Sequence, residues 1–173
     1  MKNSIPNWQM AGFLFVSVAG TLLHFLYEWT GENTVAGLFS AVNESIWEHM
    51  KLVYVPMLLF ALVQKRFADD GNFWCIKLAG ILTALILIPV LYYTYTGALG
   101  ISADWFNITI FFLAAGVAYY LEKRLFQRML FCHVKPAIAL GALILIGVLF
   151  GIFTFCPPRI PLFADPVTGE FGI

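Results

Sequence analysis

The sequence predicts an all-α integral membrane protein with five transmembrane helices, a short interfacial or re-entrant helix before the second span, and an extended C-terminal lid. Three observations carry this reading. The 173 residues are 61% hydrophobic and only 12% charged, with a mean hydropathy of +0.84, whereas ordinary soluble domains are nearer half apolar. Apolar stretches recur at roughly the twenty-residue length that an α-helix needs to cross a hydrocarbon core of about 30 Å. Lysine and arginine gather in alternate loops, as the positive-inside rule expects.

The first span, roughly 8–28, follows Lys2 and runs into Trp29. It lacks a small-residue cleavage site, so it reads as a retained span rather than a signal peptide. Next comes ENTVAGLFSAV, ending at Val42, which is too short to cross and reads as interfacial or re-entrant. The second span, roughly 50–65, is short as an apolar run. It becomes long enough only if its helix begins inside NESIWEHMK, residues 43–51, where Ser45 and Glu48 have capping-box spacing and Asn43 is a rival N-cap. Spans three to five cover roughly 74–95, 104–122 and 135–156. The tail, 157–173, reads PPRIPLFADPVTGEFGI. Its DPVTG segment marks a turn, but Ile160, Leu162, Phe163, Val167, Phe171 and Ile173 are too apolar for a disordered segment, so the tail should fold back over the helix ends.

The chain is one membrane domain. Alternation places Lys2, Lys65, Arg66, Lys77, Lys123, Arg124, Arg128 and Lys135 on one side and only Lys51 and Arg159 on the other. The expected orientation therefore has a cytoplasmic N-terminus and an external C-terminus in a plasma (inner) membrane, with Lys77 snorkelling to the inner headgroups. Membrane lipids are the expected partners, and the sequence fixes no oligomeric state. Net charge is zero and no basic run exists, which excludes the electrostatic footprint of nucleic-acid binding. Cys75, Cys132 and Cys156 are odd in number and form no CxxC pair, so they read as free thiols. No role is assigned to His133 in the basic loop.

The topology brings the unusual polar residues to one depth. His24 and Glu28 lie one helical turn apart at the outer end of the first span. Glu44, Glu48 and Lys51 share a face at the start of the second, beside Ser45 and His49. Asp104 and Asn107 open the fourth. Ionisable groups near hydrocarbon cost about 2.5–3.5 kcal/mol each at a helix centre on insertion scales, so a cluster implies pairing, water or a bound ion. Glu44, Glu48 and His24 are the candidate catalytic residues, with Asn43, Lys51, Asp104 and Asn107 as substrate contacts. A divalent metal would draw on His24, Glu28, Glu44, Glu48 and His49, nitrogen and oxygen donors suited to zinc, manganese or iron. Against this, WEHxK is not the HExxH arrangement of zincins. Glu44 and Glu48 also serve as first-turn acids favoured by the helix dipole, Asp104 as an N-cap, and Lys51 as a counter-ion. Three functions stay open: a metal-assisted or metal-free enzyme acting on a lipid or lipid-linked substrate at the outer leaflet, a protein that binds or transports a cation or small amine, and a non-catalytic membrane partner.

The segments H-F-x-Y-x-W (His24 to Trp29), N-E-S-x-W-E-H-x-K (Asn43 to Lys51) and P-P-x-I-P-L-F-x-D-P-x-T-G (Pro157 to Gly169) together resemble a family of small bacterial integral membrane proteins of unknown function. The resemblance covers nearly the whole chain. It implies a bacterial multispan protein and no particular activity.

Overall fold

The computed structural model describes residues 5–68, 70–128 and 134–173. Lys2, Cys132 and His133, considered above, lie outside the described residues. Among the described residues six helices follow one another: α1 (Ile5–Trp29), α2 (Thr34–Gly37), α3 (Ile46–Lys65), α4 (Phe73–Leu99), α5 (Asp104–Arg128) and α6 (Pro136–Phe155). All but α2 are long and apolar enough to cross a membrane, and large apolar side chains such as Leu14, Val18, Leu145 and Val148 point outward. The protein is an all-helical, multi-pass membrane protein.

Each helix end has a local cause. The α3 helix begins at Ile46, four residues ahead of its apolar run, because Ser45 caps it by accepting a hydrogen bond from the Glu48 amide at 3.3 Å. The reciprocal half of a capping box is not made. The Ser45 amide donates to Asn43 Oδ1 at 3.0 Å instead, and Glu48 accepts from the Val42 amide at 3.1 Å. The resulting 20 residues span about 30 Å. Asn33 caps α2 through the amides of Val35 and Ala36 at 2.9 and 3.3 Å. The α4 helix stops at Gly100, whose φ of 67° is left-handed and which suits a residue without Cβ.

The α3 helix packs against α1, α4 and α6, and α4 against α3, α5 and α6, while α5 packs between α1 and α4; α3 is the most buried of the spans. Its buried face carries Met50, Val53, Tyr54, Met57 and Phe60, which meet Ile81, Ala84 and Leu85 of α4, Ala114 and Ala118 of α5, and Leu143 and Phe150 of α6. Pro56 inside α3 leaves the Leu52 carbonyl without its usual helical donor. Gly20 of α1 lies over that carbonyl so closely that a Cβ there would come within 2.6 Å of the oxygen. Small residues at such crossings let membrane helices approach.

Two expectations are corrected. Lys77 does not snorkel: it is 1% exposed and its Nζ lies 2.6 Å from Glu122 Oε2 on α5. The cause is steric and electrostatic together. Gly80, one turn on, leaves space that the Glu122 side chain fills, since a Cβ there would overlap its carboxyl group. Cys75 is disulfide-bonded rather than a free thiol, whereas Cys156 is free and exposed.

The tail folds back on the helix ends. Phe163 is buried against Trp47 and Phe153, with ring centroids 4.8 and 5.3 Å away. The Trp47 amide donates to Leu162 O at 3.1 Å, and the Ile173 amide donates to Thr154 O at 3.0 Å. Asp165 closes the DPVTG turn by accepting from the Val167 and Thr168 amides at 2.7 and 3.3 Å, below a single bridge between Ala164 and Phe171.

Candidate functional site

The residues of NESIWEHMK separate into two groups with different surroundings. The first is buried. Lys51 and Glu48 are 0% and 2% exposed, and Lys51 Nζ lies 2.5 Å from Glu48 Oε2. Lys51 also donates to Gly37 O at 2.7 Å and to Thr154 Oγ1 at 2.8 Å, which uses all three ammonium protons. Thr154 in turn lies 3.1 Å from Glu48 Oε1, to which it can donate. This network joins α3 to α2 and α6. Thr154 was missed by the sequence reading, and its only signal there is that it is the sole polar side chain within α6.

The second group opens to the surface. Glu44, at the approach to α3, lies between His24 of α1 and His49 of α3. Its Oε1 is 3.8 Å from His24 Nε2 and its Oε2 is 3.4 Å from His49 Nε2. One donor atom from each of the three residues lies within 4.8 Å of the others. The imidazole rings are 5.4 Å apart, and the side chains of His24, Glu44 and His49 are 30%, 50% and 28% exposed. His49 Nδ1 is 2.9 Å from the Ser45 carbonyl. A carbonyl only accepts, so Nδ1 carries the proton and the neutral ring presents its lone pair at Nε2, toward Glu44. Metal-ligating histidines are oriented in this way by a partner on the second nitrogen.

Asn43 holds the scaffold instead of facing this group. Its Nδ2 donates to Gly172 O of the tail at 3.1 Å, while its Oδ1 takes the Ser45 amide. The Glu44 amide lies 3.4 Å from Asp165 Oδ2, which ties the tail turn to the same spot. Glu28 is exposed and outside the three-residue group, although its charge reaches His24.

A cavity of about 210 Å³ opens beside the cluster. Glu44, His49, Tyr92, Ser102, Asp104 and Asn107 supply its polar edge, Ile46, Ile88, Ile110 and Phe111 its apolar wall, and Pro166 and Val167 of the tail one side. Asn107 is fixed by Tyr95, whose hydroxyl donates to Asn107 Oδ1 at 2.5 Å. Asp104 is exposed and its carboxylate has no hydrogen-bond or ion-pair partner among the described residues. The structure thus brings His24, Glu44 and His49 together, with Glu44 and His49 lining a mainly apolar cavity that also carries Asp104 and Asn107. Glu48 and Lys51 are engaged elsewhere.

Comparison with curated proteins and with solved structures gives no match. A family of unknown function, DUF6512, matches residues 1–173, and the chain belongs to that family.

Proposed function

We propose that His24, Glu44 and His49 hold a divalent metal ion and that the protein is a small membrane-embedded hydrolase acting on a lipid or lipid-linked ester or phosphoester. The observation that carries this reading is the convergence of two imidazole nitrogens and one carboxylate beside the cavity that Glu44 and His49 line. Ligands at about 2.0–2.1 Å from a tetrahedral zinc lie roughly 3.3 Å apart, and the carboxylate-to-imidazole separations here are 3.4 and 3.8 Å. Two histidines and a carboxylate leave coordination positions open for water and substrate, as in catalytic rather than structural zinc sites. A bound metal would polarise the scissile carbonyl or phosphoryl oxygen and acidify water. Asp104, free on the same cavity, takes the proton of the attacking water and returns it to the departing alcohol. The apolar wall receives a chain of the substrate, and Asn107 contacts its head. Glu48 and Lys51 serve as a structural pair.

The charge bias supports a site on the outer side of a bacterial inner membrane, with the N-terminus in the cytoplasm. Purified protein in lipid nanodiscs, loaded with zinc, should release headgroup or fatty acid from labelled lipids. Chelation, His49→Ala or Asp104→Asn should abolish the release. Stoichiometric metal binding without turnover on ester or phosphoester lipids would instead support the second reading, a cation-binding protein.

A further inference from the structure

The polar groups left unsatisfied in the interior are concentrated away from this site, at the opposite, basic end of the bundle. Seven buried side-chain nitrogen and oxygen atoms have no hydrogen-bond partner among the described residues. Five of them belong to Gln9 (both amide atoms), Gln64, Tyr119 and Glu122. These residues come from α1, α3 and α5, and each is less than a tenth exposed. They share one layer. The Tyr119 ring lies against Gly12, where a Cβ would come within 2.5 Å of Cε1 and 2.8 Å of Cζ, and Phe60 Cε1 lies 2.8 Å from the same point. Gln9 is one turn before Gly12, and Gln64 one turn after Phe60, so both lie about one turn nearer the basic end on the faces that meet Tyr119, as Glu122 does on α5. Lys77 of α4 completes the layer, with its Nζ 5.4 Å from the Tyr119 ring centroid and paired to Glu122 Oε2.

We propose that this layer is a built chamber for water: a small internal cluster that bridges Glu122 Oε1, the Tyr119 hydroxyl and the two glutamine amides. The unpartnered atoms include three acceptors (a carboxylate oxygen and two amide oxygens), one hydroxyl that both donates and accepts, and one amide donor. Water matches that mixture, because each molecule donates and accepts and buried waters make about three hydrogen bonds. A divalent cation does not match it, since the Lys77 ammonium already neutralises Glu122. Left dry, five such groups would cost an amount comparable with the whole stability of a domain.

The chamber is separate from the His24–Glu44–His49 site. Val16, Val53, Met57, Ile81, Ala84, Ala114 and Ala115, each at most 1% exposed, form an apolar core between the two ends. The water cluster therefore hydrates a buried ion pair at one end of the bundle and is not the inner half of a path through it.

Water-edited solid-state NMR on protein in bilayers tests this. Proton magnetisation from water should reach the Gln9 and Gln64 side-chain amides and the Tyr119 ring at least several times faster than the methyls of Met57 and Ile81, which serve as the dry reference. In Gln9→Met/Gln64→Met, which conserves volume, transfer to Tyr119 should fall toward the dry level while the core signals stay in place. Transfer to Gln9, Gln64 and Tyr119 in the native protein no faster than to Met57 and Ile81 would overturn the proposal.

Discussion

At the scale of single residues, the neighbours Glu48 and His49 show how burial divides chemistry. Glu48 is enclosed with Lys51, and removing one partner of a buried pair strands the other charge, at a cost of about 3–5 kcal/mol. Lys51→Met should therefore lower stability by that order in a thermal-melting assay in detergent. Lys51→Met/Glu48→Leu should recover much of the loss, since apolar replacement of both members removes the stranded charge. If the single and double variants melt alike, the pair is not what holds α2 and α6 to α3. His49 faces the surface cluster, so His49→Ala should leave the melting temperature of metal-free protein close to the native value. The sequence displayed the ingredients of the site, because His24, Glu44 and His49 are visible as unusual residues of an apolar chain. It did not display their partition. Whether Glu44 or Glu48 meets the histidines depends on Lys51 finding Gly37 and Thr154, 14 and 103 residues away, and local periodicity carries no such information.

At the scale of elements, the spans were legible because hydrophobic length is a direct physical requirement of the bilayer. The start of α3 was legible through its cap. The extension of α5 beyond residue 122 was not. That helix continues through Glu122 to Arg128, and a glutamate flanked by basic residues reads as a solvated helix end until Lys77 and Gly80 of α4 are placed against it. Gly80→Ala should cost about 1–3 kcal/mol by overpacking the Glu122 side chain, measured as a lowered melting temperature. An unchanged melting temperature would show that the α4–α5 contact is looser than described. The tail was readable as a lid from its apolar residues. Phe163 is its anchor between Trp47 and Phe153, and Phe163→Ala should cost about 3–5 kcal/mol if the tail folds cooperatively with the bundle. Limited proteolysis offers a second reading: the tail should become cleavable in that variant and resist cleavage in the native protein.

At the scale of the whole molecule, the two ends differ in character. One is acidic and carries the open cavity under its tail. The other is basic and carries the buried Lys77–Glu122 pair. The charge bias supports the proposed orientation, whereas the disulfide at Cys75 lies at the basic end, and disulfides are rare on the cytosolic side. Val167 is 79% exposed on the tail turn. In a chain with Cys156→Ser, Val167→Cys should react with a membrane-impermeant maleimide in intact cells. Reaction only after permeabilisation would reverse the orientation and move the site to the cytoplasmic leaflet.

The proposed metal centre consists of the His24 and His49 imidazoles and the Glu44 carboxylate. X-ray absorption at the zinc edge, on bilayer-reconstituted protein loaded with one equivalent of zinc, tests it most directly. The expected spectrum has nitrogen and oxygen ligands at about 2.0–2.1 Å, with multiple scattering from two imidazoles that is lost in His24→Ala/His49→Ala and retained in Glu48→Gln. Zinc that fails to bind stoichiometrically, or that binds with no imidazole scattering, would rule out a metal centre at these residues.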